Sequence, residues 1–157
     1  MRFLDLFAGA GGLSEGFIQA GYIPVAHVEQ DKAACNTLRT RAVYHKLKKS
    51  DRLEVYEDYL YGRISRQDLY LHEPDEINNI ICEMINGDSI SHIFNTIDQL
   101  LYNQRLDLII GGPPCQAYSI VGRSRTKNKM IGDERNYLFH YYGEFLKRYK
   151  PQYFVFE

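Results

Sequence analysis

Residues 106–119 constrain the fold of this chain more than any other segment. Residues 106–110 form a short apolar run, which is typical of a buried β-strand. Two glycines and two prolines then end the strand, and Cys115 follows directly. In an open α/β sheet, ligands bind at loops past the carboxyl ends of the strands. The segment therefore predicts a rigid, ligand-facing turn that carries a thiol.

Cys115 has two interpretations. A cysteine is often no more than a small buried apolar residue. Here, however, Pro113 and Pro114 fix the backbone φ angle and stiffen the turn, so the thiol is held in place as a nucleophile must be. Cys35 and Cys82 lie among apolar residues, and we interpret both as inert packing residues.

Length, charge and cysteine content limit the class of protein. The 157 residues suffice for one domain that buries roughly 70% of its unfolded surface. The net charge of −1 predicts no overall attraction to nucleic acid, so any DNA contact must come from a local patch. Three scattered cysteines argue against a disulfide framework or a structural zinc site and favour a cytoplasmic location. No apolar run is long enough to span a membrane.

The amino-terminal residues predict a strand, a glycine turn and a helix. Residues 2–7 form the strand, and the helical pattern covers residues 13–20. The glycines between them let a ligand approach the backbone, although a tight turn alone would explain them equally well. The dinucleotide-binding pattern requires Gly or Ala where this chain has Ser14, which disfavours a nicotinamide enzyme.

Acidic residues follow the next two predicted strands. Residues 22–28 form the second strand, and Glu29 at its end is placed to accept hydrogen bonds from ribose hydroxyls. Asp31 is predicted to cap a helix that starts at Lys32. Asp88 follows a third strand at residues 80–85, and it either accepts from a ligand or caps a helix at residues 91–101.

The remaining segments differ in charge and periodicity. Residues 48–76 carry charges of both signs, which favours a solvated helical face over a nucleic-acid patch. The cations at residues 123–129 follow the presumed nucleophile directly, which favours contact with phosphates. Aromatic and leucine side chains at residues 138–149 recur at helical spacing and should face the sheet. Tyr153–Phe156 is the fifth predicted strand.

Three stretches together resemble the C5-cytosine DNA methyltransferase family. Residues 114–119 are similar to its catalytic loop, residues 5–13 to its S-adenosylmethionine loop, and residues 154–157 to the strand that leads to its catalytic Glu. The resemblance implies an α/β, Rossmann-like methyltransferase fold with an open, mostly parallel sheet. It also implies methyl transfer from S-adenosyl-L-methionine to flipped-out cytosine in double-stranded DNA, within a restriction-modification system.

The resemblance assigns roles to individual residues. Cys115 would be the nucleophile and Glu157 the acid that contacts cytosine N3. Cofactor contacts are implied for Phe7, Gly9, Gly11, Gly12, Leu13, Glu29, Gln30, Asp88, Ser89, Pro114 and Leu138. Among them, Glu29 would bind the ribose, Asp88 the adenine amino group, and Leu138 would line the methionine pocket. DNA contacts are implied for Gln116, Ser119, Arg123, Arg125 and Lys127.

The family comparison also predicts the extent of the domain. We expect residues 1–157 to form a partial catalytic domain, truncated after the fifth strand, with a helical insertion at about residues 48–79 and no target-recognition domain. Such a fragment is expected to be inactive alone and to expose the Tyr153–Phe156 edge to a second copy or a partner chain. A tRNA cytosine-5 methyltransferase and a non-catalytic, cofactor-binding half that needs a partner remain as alternatives.

Overall fold

Five parallel strands form one sheet in the computed structural model, which describes residues 1–113 and 138–157. The strands are β1 (Arg2–Leu6), β2 (Ile23–Glu29), β3 (Ile80–Cys82), β4 (Leu108–Gly111) and β5 (Tyr153–Phe156). They lie in the order β3-β2-β1-β4-β5, and each neighbouring pair is parallel. The predicted Rossmann-like α/β fold is confirmed.

Side chains alternate along each strand, so the sheet has apolar side chains on both of its faces. Helices pack against both faces and bury these side chains. The helices in the described part of the chain are α1 (Gly12–Gln19), α2 (Lys32–Lys49), α3 (Leu53–Leu60), α4 (Arg66–Leu71), α5 (Pro74–Ile77), α6 (Ile90–Leu101) and α7 (Leu138–Tyr149). Phe3 of β1 faces α1, where Phe17 packs against it. Leu4 and Leu6 face the opposite side, where α6 and α7 pack.

The aromatic stripe of α7 is part of the core, as its spacing predicts. Tyr142 and Phe145 are buried, and Leu146 and Tyr149 pack against the same cluster. The Tyr142 hydroxyl lies 3.0 Å from the carbonyl oxygen of Val155 and 3.2 Å from that of Ile109. Burial, and then the nearby carboxylate of Asp5, raise the pKa of this hydroxyl. Tyr142 therefore stays neutral and can donate to either strand.

The strand order reverses between β1 and β4. The chain moves outward from β1 through β2 to β3 on one side, and from β4 to β5 on the other. In such a sheet the crevice at the reversal point, outside the carboxyl ends of the strands, is where ligands bind. The topology therefore brings the loops after β1, β2, β3 and β4 to one edge of the sheet.

The third strand is shorter than predicted. It was expected at residues 80–85, but β3 covers only Ile80–Cys82. β3 lies at the edge of the sheet and pairs with β2 alone, ending with Cys82 opposite Glu29. Because β2 ends at Glu29, residues 83–85 have no neighbouring strand to pair with. The apolar pattern alone could not reveal where the partner strand ends.

Helices α3, α4 and α5 form a small cluster of their own against α2. Val43 and Leu47 of α2 and Leu69 of α4 are fully buried there. Charges of this segment pair with one another across the surface: Lys46 with Glu76, Arg52 with Glu73, and Arg63 with Asp58. This agrees with the prediction of a solvated helical face. That the segment is an insertion stays a prediction.

Strand β5 is the apolar edge of the sheet. All four of its residues are exposed, from 39% for Val155 to 59% for Phe154. It pairs with β4 on one side, and no described strand lies on the other. An open apolar edge of this kind is a template for pairing with another strand. Among the described helices, none is long and apolar enough to cross a membrane.

Candidate active site

The loop after β1 folds back through three residues with positive φ angles. Phe7, Gly9 and Gly11 have φ angles of 58°, 54° and 82°. A Cβ atom on Gly11 would lie 2.7 Å from Leu38 Cδ2, so a larger residue would have to displace that side chain. Gly12 begins α1, whose first backbone N–H groups have no partner within the helix. The loop thus offers exposed backbone donors to a ligand.

Glu29 ties this loop to the second strand. Its Oε2 accepts from Gly9 N at 2.8 Å, and its Oε1 accepts from the backbone N–H groups of Gln30 and Asp31, both at 2.8 Å. An ionised carboxylate offers about four acceptor positions, so one remains on Oε2. A ribose hydroxyl can occupy that position, and a second one must displace a loop N–H. The ribose role stays a prediction.

Gln30 and Asp31, which follow Glu29, have different roles: Asp31 caps a helix and Gln30 is exposed. The Asp31 carboxylate accepts from Ala34 N at 2.8 Å and α2 begins at Lys32, so the predicted helix cap is confirmed. Gln30 is exposed at the end of β2. An exposed amide at this position is available to a ligand without any rearrangement of the core.

Asp88 lies on a tight turn after β3. Asn86 Oδ1 accepts from the backbone N–H groups of Asp88 and Ser89 at 3.0 and 2.9 Å, which forms an Asx turn. The residue that precedes α6 is Ser89, so the interpretation of Asp88 as the helix cap is wrong. The exposed Asp88 carboxylate has no partner among the described residues. Asn86 is not among the predicted site residues, although an Asn before Gly-Asp is a turn signal.

Strand β4 ends where backbones come unusually close. A Cβ atom on Gly111 would lie 1.9 Å from the carbonyl oxygen of Leu6, and one on Gly112 would lie 2.1 Å from that of Glu157. Glu157 N also donates to the Gly111 carbonyl oxygen at 3.3 Å. Glu157 is therefore held through its backbone at the base of the loop that carries Cys115.

Arg41 braces the glycine loop from α2. It donates to the carbonyl oxygen of Ala10 at 3.1 Å and to Glu15 Oε2 at 2.5 Å. His45 donates to the same carboxylate oxygen at 2.9 Å. Burial disfavours ionisation of Glu15, but hydrogen bonds from Arg41, His45 and Gln19 outweigh it and lower the pKa of the carboxyl to about 2. No local pattern in the sequence indicated this contact, because Arg41 is 31 residues from Ala10.

The shift of Glu15 predicts a pH-dependent loss of stability in Glu15→Gln. Because the folded-state pKa lies below the ordinary 4.5, the ionised carboxylate stabilises the fold above pH 4.5, and this contribution is lost as pH falls towards about 2. At neutral pH we expect a loss of about 0.5–1 kcal/mol, the value of a partly exposed ion pair. Urea unfolding at neutral and acidic pH measures it. Glu57→Gln, at an exposed carboxyl without an ion pair in the described part, should show no such pH dependence.

The structure brings most of the predicted cofactor residues to the carboxyl edge of the sheet. The described ones are Phe7, Gly9, Gly11, Gly12, Leu13, Glu29, Gln30, Asp88, Ser89 and Leu138. Leu13, near the start of α1, packs against the apolar cluster that contains Phe3. Leu138 is half-buried at the start of α7. Outside the described residues lie Pro114, Cys115, Gln116, Ser119, Arg123, Arg125 and Lys127.

Cys35 and Cys82 are packing residues rather than nucleophiles. Cys35 is fully buried and packs with Leu38 and Ile80, and Cys82 lies beside them. Burial, followed by the neighbouring Cys82, raises the pKa of the Cys35 thiol to about 12. The thiol is therefore protonated at neutral pH and a poor nucleophile. Within residues 1–113 and 138–157, no three His, Cys, Asp or Glu side chains converge as a metal site.

Comparison with known proteins places the chain in a family. The model of the C-5 cytosine-specific DNA methylase family matches residues 1–69 and 75–157. The type II methyltransferase M.Bpa9945I of Bacillus paralicheniformis is 42% identical over 178 residues, covering 100% of this chain and 40% of that protein. M.XorII of Xanthomonas oryzae pv. oryzae is 31% identical, covering 98% of this chain and 27% of that protein. This chain thus spans well under half the length of these relatives.

A solved structure supports the fold. The crystal structure of a protein described as a DNA modification methyltransferase encoded within an E. coli prophage superposes with a TM-score of 0.53. The alignment covers 99% of this chain and 31% of that one, at 23% identity, so it supports the fold alone. The family model, in contrast, matches nearly every residue, including both the glycine loop and the Cys115 loop. The chain therefore belongs to the C-5 cytosine-specific DNA methylase family.

Proposed function

We propose that this protein transfers a methyl group from S-adenosyl-L-methionine to C5 of cytosine in double-stranded DNA, within a restriction-modification system. Family membership supports the class of reaction, and the type II methyltransferases among its relatives support the setting. The observation that carries the proposal is the 2.8 Å hydrogen bond from Gly9 N to Glu29 Oε2. It joins the glycine loop and the proposed ribose acceptor in one crevice. The site of action is the cytoplasm, where thiols stay reduced.

The described crevice fits the cofactor. Cβ positions at Gly9 and Gly12 meet no described atom within 4 Å, which leaves room for a ligand against the backbone. Glu29 has an acceptor position for a ribose hydroxyl, and the exposed Asp88 carboxylate can accept from an adenine amino group. When bound, S-adenosylmethionine supplies an electrophilic methyl group.

Cys115 and Glu157 act on the base. C5 of cytosine is too weak a nucleophile while the ring is aromatic, and addition of the Cys115 thiolate at C6 moves an electron pair to C5. Glu157 hydrogen-bonds N3 and stabilises the charge that develops there. After C5 has gained the methyl group, a base removes the C5 proton, the C5–C6 double bond re-forms, and the C6–S bond breaks to release the thiolate. Glycine at positions 111 and 112 lets the backbones of Leu6 and Glu157 approach the end of β4, since the Cβ positions there are filled by that backbone.

The DNA contacts belong to the loop after Cys115. A cytosine inside a duplex hides C6 from a thiolate, so the base must leave the stack. Arg123, Arg125 and Lys127 supply cations for the phosphates around the gap, and Gln116 and Ser119 are close in sequence to the nucleophile. In this proposal the Cys115 thiol acts on the cytosine base, and the cations bind the phosphates of the DNA strand.

The affinity for S-adenosylmethionine tests whether Glu29 belongs to the cofactor site. Glu29→Gln removes a charged acceptor, and we expect S-adenosylmethionine to bind about 10- to 100-fold more weakly, the cost of one or two hydrogen bonds to a charged group. Isothermal titration calorimetry measures the Kd. Asp31→Asn is the matched control, because Asn caps a helix as well as Asp and the change lies two residues away. Equal affinity in Glu29→Gln and the wild type would remove Glu29 from the site.

The class of nucleic acid is tested with labelled methyl groups. Incubation of the complete enzyme with tritium-labelled cofactor should label duplex DNA and leave tRNA unlabelled, whereas residues 1–157 alone are expected to be inactive. Label in tRNA alone would replace this proposal by the tRNA cytosine-5 reaction. Cofactor binding without label in either, followed by DNA labelling once a second chain is added, would identify a cofactor-binding half.

A further proposal concerns the β5 edge. Tyr153, Phe154 and Phe156 are each at least half exposed, an unusual density of aromatic surface on one strand. We propose that a second copy of this chain pairs with this edge and covers it. Light scattering should show a dimer, and Val155→Lys should return it to a monomer, since a charged lysine opposes edge pairing.

A further inference from the structure

The glycine loop after β1 is held from two directions. From β2, Glu29 Oε2 accepts from Gly9 N at 2.8 Å. From α2, Arg41 Nη1 donates to the carbonyl oxygen of Ala10 at 3.1 Å. Gly9 and Ala10 are adjacent in the chain, so a strand and a helix hold neighbouring residues of one short loop. The position of the loop therefore depends on Arg41 as well as on Glu29.

Arg41 fixes the orientation of one peptide group in this loop. The carbonyl oxygen of Ala10 and the N–H of Gly11 belong to the same planar, trans peptide and point in opposite directions. The oxygen accepts from Arg41, and the N–H donates to the carbonyl oxygen of Ala8 at 3.0 Å. Both polar groups of this peptide thus have partners, and it cannot rotate without breaking a hydrogen bond.

The same face of α2 also contacts Gly11. Gly11 has a φ angle of 82°, and a Cβ atom on it would lie 2.7 Å from Leu38 Cδ2 and 3.9 Å from Arg41 Nη1. Leu38 and Arg41 are three residues apart, so they are neighbours on one face of the helix. Helix α1 begins at Gly12, directly after this turn. The contacts from α2 therefore set where the first backbone N–H groups of α1 lie.

The guanidinium of Arg41 bridges the loop and α1. While Nη1 donates to Ala10, Nη2 donates to Glu15 Oε2 at 2.5 Å, and Glu15 lies in the first turn of α1. The Arg41 and Glu15 side chains are 33% and 24% exposed, so water only partly screens the pair. A planar guanidinium presents several N–H donors in a fixed fork, whereas a lysine ammonium is a single point of charge. Arginine is therefore suited to bind both partners at once.

We propose that Arg41 is a positioning residue for S-adenosylmethionine, which holds the Ala10–Gly11 peptide and so keeps the glycine loop in the form that binds the cofactor. The inference rests on the proposed function, because only there does the loop bind this cofactor. The described polar contacts of Arg41 are with protein atoms, so it acts through the loop. When a smaller fraction of molecules has the binding form, the apparent Kd rises in proportion.

Cofactor affinity and turnover of the complete enzyme test this role. Arg41→Met removes the donors and keeps a long side chain. We expect the Kd for S-adenosylmethionine, measured by titration calorimetry, to rise about 10-fold, the value of one hydrogen bond from a charged group. At saturating cofactor the rate of methyl transfer to duplex DNA should match the wild type, since Arg41 acts on the loop and not on the reacting atoms. Arg41→Lys should have a Kd between the two, because it keeps a charged donor without the fork.

Two further variants separate positioning from a general loss of stability. Arg39→Met makes the same change on α2, at a residue whose described hydrogen bond is to Asn36 Oδ1 of the same helix at 3.5 Å. Glu15→Gln weakens the ion pair and lowers stability, yet it leaves the contact between Arg41 and Ala10 in place. Both variants should bind S-adenosylmethionine with the wild-type Kd.

Several results would overturn the role of Arg41. They are a wild-type Kd in Arg41→Met, an equal loss of affinity in Arg39→Met or Glu15→Gln, and a fall in the saturated rate that follows the folded fraction in urea unfolding. If Arg41→Met does not fold by circular dichroism, Arg41→Lys decides, and a wild-type Kd there contradicts the proposal. A wild-type enzyme that binds no S-adenosylmethionine would overturn the proposed function and this inference together, whereas failure of the Arg41 variants alone leaves the proposed function intact.

Discussion

Replacing Cys115 with serine in the complete enzyme is expected to lower the rate of methyl transfer to cytosine by about 10³-fold or more, because a serine hydroxyl is a far weaker nucleophile than a thiolate. Serine has nearly the same size, so the variant should still bind S-adenosylmethionine and DNA. Single-turnover transfer of tritium-labelled methyl groups to duplex DNA measures the chemical step. Cofactor affinity, measured by calorimetry, should match the wild type.

Cys82→Ser is the matched control. It makes the same chemical change at a cysteine in β3, packed beside Cys35 rather than on the loop after β4. Its rate of methyl transfer should stay near that of the wild type. A wild-type rate in Cys115→Ser would remove the covalent step from the proposal, whereas loss of both rate and cofactor binding would indicate a structural role for the thiol.

Replacing Gly111 with alanine is expected to lower the free energy of unfolding by about 3 kcal/mol or more. The new Cβ would lie 1.9 Å from the carbonyl oxygen of Leu6, and the φ angle of 112° is one that alanine rarely adopts. The obstacle is backbone, so no side-chain rotation relieves it. The free energy of unfolding of a small domain is about 5–15 kcal/mol in total. The variant should therefore be partly unfolded at a modest urea concentration.

Gly16→Ala controls for the loss of glycine itself. Gly16 lies inside α1, and a Cβ atom there meets no described atom within 4 Å. Alanine favours a helix by about 0.5–1 kcal/mol over glycine, so this variant should be as stable as the wild type or more so. A Gly111→Ala variant that unfolds at the wild-type urea concentration would contradict the close approach of β1 and β4.

Much of the fold was predictable because its signals are local. Apolar runs marked all five strands, and the helix cap at Asp31 was recognisable from one residue type in front of a helical pattern. The amphipathic spacing of α7 correctly predicted that Tyr142 and Phe145 are core residues. The helix boundaries in the described part differ from the predicted ones by a residue or so where both are defined.

The errors arose where a distant partner decides the outcome. The end of β3 depends on where β2 ends, which no pattern inside residues 80–85 reveals. Asp88 precedes a helix as a capping residue would, yet Asn86 supplies the side-chain oxygen that holds the turn. Arg41 was overlooked because it supports the glycine loop from another helix.

The sequence by itself determined the fold class, the order of the strands along the chain and the residue types with which this family acts, because each depends on neighbours within a few positions. Only the tertiary structure decided that Glu157 lies against Gly112, that Glu29 already accepts three backbone hydrogens, and that Arg41 of α2 contacts the glycine loop. These features join segments far apart in the chain. Their geometry is set by strand register and helix packing, which local composition does not encode.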